Sequence, residues 1–75
     1  MRFFVSSEFI FLEKSLIEIR DKREVHHIRD VMRLKEGMRV SVFDGKGKEY
    51  SGDIKKIDRM LVTITIKEEI NIEKT

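Results

Sequence analysis

The hydrophobic positions along the chain change period several times, and each change predicts a new element. "RFFV" (2–5) is a short β-prone run. "EFIFLEKSLIEI" (8–19) is mixed. Its second part, Leu16-Ile17-Glu18-Ile19, reads as a strand bounded by charge, and its first part as a strand or an irregular packed loop. Asp21 then stands three residues before Glu24, a capping-box spacing with Asp in the Ser/Thr role, which marks a helix start. Val25, Ile28, Val31 and Met32 follow at intervals that place them on one helical face. His26, Arg29, Asp30 and Arg33 lie on the other side as surface neighbours. The pattern predicts a helix over about 22–34, with Gly37 breaking the turn into the next strand.

From there the period drops to two. "MRVSVF" (38–43) alternates, with Met38, Val40 and Val42 on one side and Arg39 and Ser41 on the other. "DGKG" (44–47) is a tight-turn signal, because glycine accepts positive φ without steric cost. "KEYSGDIKKI" (48–57) returns as the hairpin partner, and Gly52 inside it predicts a bulge or a sharp bend. Asp58-Arg59-Met60 makes another turn, and "LVTITI" (61–66) is the clearest strand of all. The tail, "KEEINIEKT", is charged and predicts an end that frays or leads elsewhere. Several short strands and one short α-helix in so few residues predict a mainly-β fold, a small β-barrel.

Composition bounds the class. Seventy-five residues allow one domain with a small core. Ten isoleucines and five phenylalanines supply that core, which argues against disorder. With no cysteine, neither a disulfide nor a cysteine-based zinc site is available. No apolar run is long enough to cross a bilayer and no secretory signal pattern follows the N-terminus, so the chain reads as soluble and cytoplasmic.

The charge is unevenly placed. Overall it is +2, but residues 22–48 carry eight basic and four acidic groups, a net +4, and each flank is slightly acidic. A locally basic surface favours a phosphate-bearing partner; a solvated lysine-rich surface is the bland alternative.

The candidate chemistry narrows further. Adjacent His26 and His27 point roughly 100° apart on a helix, so they do not share one metal ion. The i, i+4 histidine spacing of a helical zinc site is absent. "GKGKEY" (45–50) begins like a dinucleotide motif, yet Tyr50 stands where the third glycine belongs. Neither histidine has an evident orienting partner or nucleophile, so one is expected at the edge of the core and one in solvent. A nucleic-acid contact remains. His27, Arg29, Arg33, Lys35, Arg39, Lys46 and Lys48 are the candidate RNA-binding residues, with arginine suited to bidentate phosphate binding. Phe43 and Tyr50 are candidates for stacking an unpaired base, with a core position the favoured alternative for Phe43. Asp30 and Asp44 lie in the patch and repel phosphate unless they orient an arginine.

In order and spacing, "HHIRDVMRLKEGM" followed by "VSVFDGKGKEYSGDI" resembles the N-terminal domain of the ribosomal RNA small-subunit methyltransferase E family. The matching positions are His27, Val31, Met32, Arg33, Gly37, Phe43, Asp44 and Gly45, and the resemblance covers essentially the whole chain. It implies a PUA-like β-barrel that helps bind 16S ribosomal RNA. In the family a knotted SPOUT domain follows, which binds S-adenosylmethionine, dimerises and methylates N3 of a uridine. That domain's Gly-rich segments are absent here, so residues 1–75 are expected to be an accessory RNA-binding domain, not catalytic alone. Two positions depart from the family pattern: Asp30 stands where an arginine is frequent, and Met38 where an acidic residue often follows the glycine.

A second reading is an interaction module that packs on a catalytic domain or dimer partner without touching RNA. It requires Phe9, Ile10 and Phe11 to be exposed. A third is an unrelated, translation-factor-like barrel.

Overall fold

The structure is a computed structural model that describes residues 2–71. Six strands form one sheet: β1 (Arg2–Phe4), β2 (Ile10–Phe11), β3 (Leu16–Ile19), β4 (Arg39–Phe43), β5 (Lys48–Ile57) and β6 (Val62–Asn71). Their spatial order is β1-β4-β5-β6-β3-β2, antiparallel throughout except that β1 runs parallel to β4. One helix, α1 (Lys22–His26), leads directly into a wider π-helical turn over His27–Val31. The mainly-β, PUA-like architecture expected from the sequence is present.

The sheet has to curl. Strands β1 and β2 sit at its two ends, about 24 Å apart if six strands lay flat at about 4.8 Å spacing. The chain from Phe4 to Ile10 reaches at most about 20 Å when extended. A 3-10 turn at Ser7–Phe9 shortens it further, so the edges are drawn together.

Two bulges assist the curl. Ser51 faces Glu68 but Gly52 faces Ile66, which leaves Lys67 of β6 as an extra residue. Ile54 faces Ile64 but Lys56 faces Thr63, which leaves Lys55 of β5 as another. Each extra residue bends its strand and increases the local twist. A bulge is thus found at Gly52 as its position predicted, with the inserted residue on the partner strand. Gly52 is required there by contact: a Cβ would come within 2.0 Å of the Thr65 carbonyl oxygen.

The core lies inside the curl. Ile17 and Ile19 of β3 and Val40 and Val42 of β4 are buried in the alternation expected of half-buried strands, and Val62, Thr63 and Ile64 of β6 are all buried. Val25, Ile28 and Leu34 cap this core from the helical segment. Burying each such side chain contributes about 1.5–3 kcal/mol, which is substantial in so small a domain.

Three expectations need correction. The helix does not run regularly to residue 34. Asp21 caps its start, accepting from the Arg23 N–H at 2.8 Å. After His26 it widens, with the Met32 N–H bonding the His27 carbonyl at 2.8 Å and the Leu34 N–H the Ile28 carbonyl at 3.0 Å. Arg33 then takes φ +54°, a left-handed residue that ends the helix. The wider winding changes the phase, so Val31 is 61% exposed and Leu34 is buried in its place. Second, Met38 precedes β4 and is 39% exposed rather than in the core with Val40 and Val42. Third, residues 67–71 of the charged tail continue β6, paired along Lys48–Ser51. The remaining tail, 72–75, lies outside the described residues.

Candidate nucleic-acid interface

Apart from Arg39, the candidate RNA-binding side chains occupy three places. The first is the end of the helical segment. Arg29, Arg33 and Lys35 converge with Asp30 and Leu34 on an open cleft of about 530 Å³. Arg33 is there because of its left-handed backbone, which turns the chain sharply and projects the side chain off the helix end. Among the described residues, Arg33 and Lys35 take part in no ion pair.

Asp30 is engaged by its neighbours. Arg29 donates to it twice, from Nε at 3.2 Å and from Nη2 at 3.0 Å. His26 Nδ1 lies 2.9 Å from the same carboxylate, one turn earlier. The Arg29 hydrogen bond holds the Asp30 carboxyl below the usual range, with the charges of Arg29 and His26 adding to it. The same bond raises the already high pKa of Arg29. Asp30 therefore orients Arg29 although the two side chains leave the helix in different directions.

The second place is the β4–β5 turn. Asp44 holds it, its Oδ1 accepting from the Lys46 N–H at 2.7 Å and the Lys48 N–H at 3.3 Å. Lys46 and Lys48 line a groove of about 310 Å³ with Ile10, Leu12 and Tyr50. Lys46 Nζ donates to Ser7 Oγ at 3.3 Å, and Lys48 Nζ sits 3.7 Å from Glu69. Arg39, at the start of β4, is paired with Asp53 at 3.2 Å across the hairpin. It joins neither cluster.

The third place is a cleft of about 380 Å³ between β1 and α1, lined by Phe3, Phe4, Arg23, Glu24 and His27. Both histidines are exposed, so neither is the core-edge residue the sequence suggested.

The stacking candidates also change. Tyr50 is buried, and burial raises its phenol pKa, with the carboxylates of Glu69 and Asp44 adding to the shift. Phe43 is half-buried and its face is covered by the Arg2 guanidinium, 4.6 Å from the ring centroid. The exposed aromatic is Phe4, which packs edge-on to Phe43 at 5.8 Å. Alternation offered a signal for it. Arg2 must face water, so Phe4, two residues on, shares its side, while Phe3 and Val5 turn inward. Phe9 and Ile10 pack against the core and Phe11 is half-buried, so the apolar face needed by an interaction module is largely spent within the domain.

Residues 19–67 match the sequence profile of the RNA methyltransferase PUA domain. The chain belongs to this family. That membership agrees with the resemblance read from the helix, the glycine and the Phe-Asp-Gly turn. No curated protein matches the sequence significantly. Among solved structures, a predicted RNA methyltransferase from Thermotoga maritima is 28% identical with a TM-score of 0.76, the alignment covering 99% of this PUA domain and 32% of that protein. A ribosomal RNA small subunit methyltransferase E from Neisseria gonorrhoeae, bound to S-adenosylmethionine, is 21% identical with a TM-score of 0.71. It shares the fold over 92% of the PUA domain and 27% of its own length. The chain thus spans about a third or less of these two proteins. Among the described residues, no helix is long and apolar enough to cross a membrane.

Proposed function

We propose that this PUA domain binds 16S ribosomal RNA through the end of its helical segment and positions it for a separate methyltransferase domain. That domain would carry the S-adenosylmethionine site and the dimer interface and would methylate N3 of a uridine. The observation that carries the reading is the convergence of Arg29, Arg33 and Lys35 on one open cleft, with the one carboxylate among them tied to Arg29. Two unpaired cations and a guanidinium on a fixed carboxylate suit phosphate oxygens, because guanidinium binds them as a fork and ammonium as a point charge. Lys46 and Lys48 extend the basic surface at the β4–β5 turn, and His27 extends it along the helix.

The test is titration of the domain with a small-subunit rRNA fragment at two salt concentrations. Three phosphate contacts release about two to three counterions, which weakens binding on the order of 20-fold between about 50 and about 200 mM salt. Arg33→Ala combined with Lys46→Ala lowers the affinity and flattens the salt dependence. Undetectable binding at low salt, or a double variant that binds unchanged, counts against the proposal.

A further inference from the structure

Phe4 is 47% exposed on a strand of only three residues, although its neighbours Phe3 and Val5 face the core. Leaving a phenyl ring in water forgoes the burial that stabilises the rest of the domain. The ring nevertheless has neighbours in the β4–β5 hairpin. Phe43 meets it edge-on, with an interplanar angle of 63°. The β4–β5 turn also comes close: a Cβ on Gly45 would lie 3.0 Å from Phe4 Cε1. A side chain at Gly45 would push the ring by a few tenths of an ångström, and its φ of +77° already favours glycine.

Across the cleft stand Arg23, Glu24 and His27. Its volume, about 380 Å³, is in the range of small-ligand sites. Arg23 has no ion-pair partner among the described residues. An exposed aromatic face beside a guanidinium suits a flat, weakly polar group attached to an anionic backbone. Glu24 disfavours a phosphate inside the cleft itself, but its carboxylate can accept from N–H donors on the edge of a base.

We infer that Phe4 is a stacking platform for one unpaired base of bound RNA, with Arg23 and His27 facing the adjoining phosphate and Glu24 meeting the pairing edge of the base. This rests on the RNA-binding reading above and adds to it the single-stranded character of the RNA at one position. Stacking tolerates any base, since every base has a π-face, so the cleft selects for unpaired over paired RNA more than for sequence.

The test uses the 75-residue chain and two RNAs of equal length, a single strand with one 2-aminopurine and a fully paired duplex. Binding of the single strand is expected to quench the 2-aminopurine fluorescence. Phe4→Leu keeps an apolar group against Phe43 and Gly45 but has no π-face. It should lose the quench and weaken single-strand binding roughly 5- to 100-fold, leaving duplex binding unchanged. Phe4→Tyr should retain both affinity and quench. The platform is overturned if Phe4→Leu binds and quenches as wild type does, or if Phe4→Tyr loses as much as Phe4→Leu. A wild-type domain that binds neither RNA at low salt instead defeats the RNA-binding reading itself.

Discussion

Arg29 and Asp30 are consecutive residues joined by two hydrogen bonds, and the same carboxylate meets His26 from the preceding turn. Because the charged form of Asp30 is the one held, its carboxyl titrates below the usual aspartate value of about 3.9. The folded pKa is depressed, so the pairing contributes stability above the unfolded value and loses it as pH falls through the folded one. Carboxyl NMR titration is expected to show a lowered midpoint that moves up in Arg29→Ala. A midpoint that ignores Arg29→Ala would show that the pair does not persist in solution.

Arg33 separates stability from binding. Its φ of +54° is costly for a residue with a Cβ, on the order of 1 kcal/mol, and glycine avoids that cost. Arg33→Gly should therefore be as stable as wild type or more stable by up to about 1 kcal/mol in urea unfolding. The same variant should bind RNA more weakly, because the side chain that reaches the cleft is gone.

Gly52 behaves in the opposite way. Gly52→Ala drives a Cβ into the Thr65 carbonyl at 2.0 Å, and backbone on both strands must move. The cost is expected at or above about 3 kcal/mol, the upper end for overpacking, which approaches the whole stability of a domain this small. Gly37→Ala meets no atom within 4 Å and strains only its φ of +89°, so it should cost about 1 kcal/mol. Urea midpoints of the two variants check the order.

Tyr50 is the sole tyrosine, so absorbance titration of tyrosinate reports it alone. Burial should place its midpoint above the usual value of about 10. A raised folded pKa favours the native state below the unfolded value, and that contribution disappears as pH rises through the folded one. Loss of structure and ionisation of Tyr50 should therefore coincide in alkali.

Local chemistry made several of these features legible in the sequence. Asp21 announced the helix start because a side-chain cap is a local event. Val40 and Val42 announced the buried face of β4 for a similar reason. The helix end was hidden, since the bond from Met32 to His27 depends on how Ile28 and Leu34 settle on a sheet formed by distant residues. Residues 67–71 did not read as strand because nothing in "KEEIN" asks for one; Lys48–Ser51 template it. The bulge at Lys55 was not foreseen either; the register shift between Ile54 and Lys56 shows it. At the cleft, the basic residues were visible as charge and the outward turn of Phe4 followed from its alternation with Arg2, whereas the pairing of Asp30 with Arg29 and His26 needed coordinates.

The parallel pairing of β1 with β4 has a consequence for how the domain is made. Arg2 waits for Ser41, and Ile17 for Ile64, whereas β4, β5 and β6 meet their neighbours through short turns. Translation delivers residues at about 5–20 per second, far slower than a hairpin closes. Strand β1 therefore stays unpartnered for seconds while β2 and β3 have only each other, and the β4–β6 meander becomes the template onto which they fold back. Pulsed hydrogen exchange during refolding should find amides of β5 and β6 protected before those of β1.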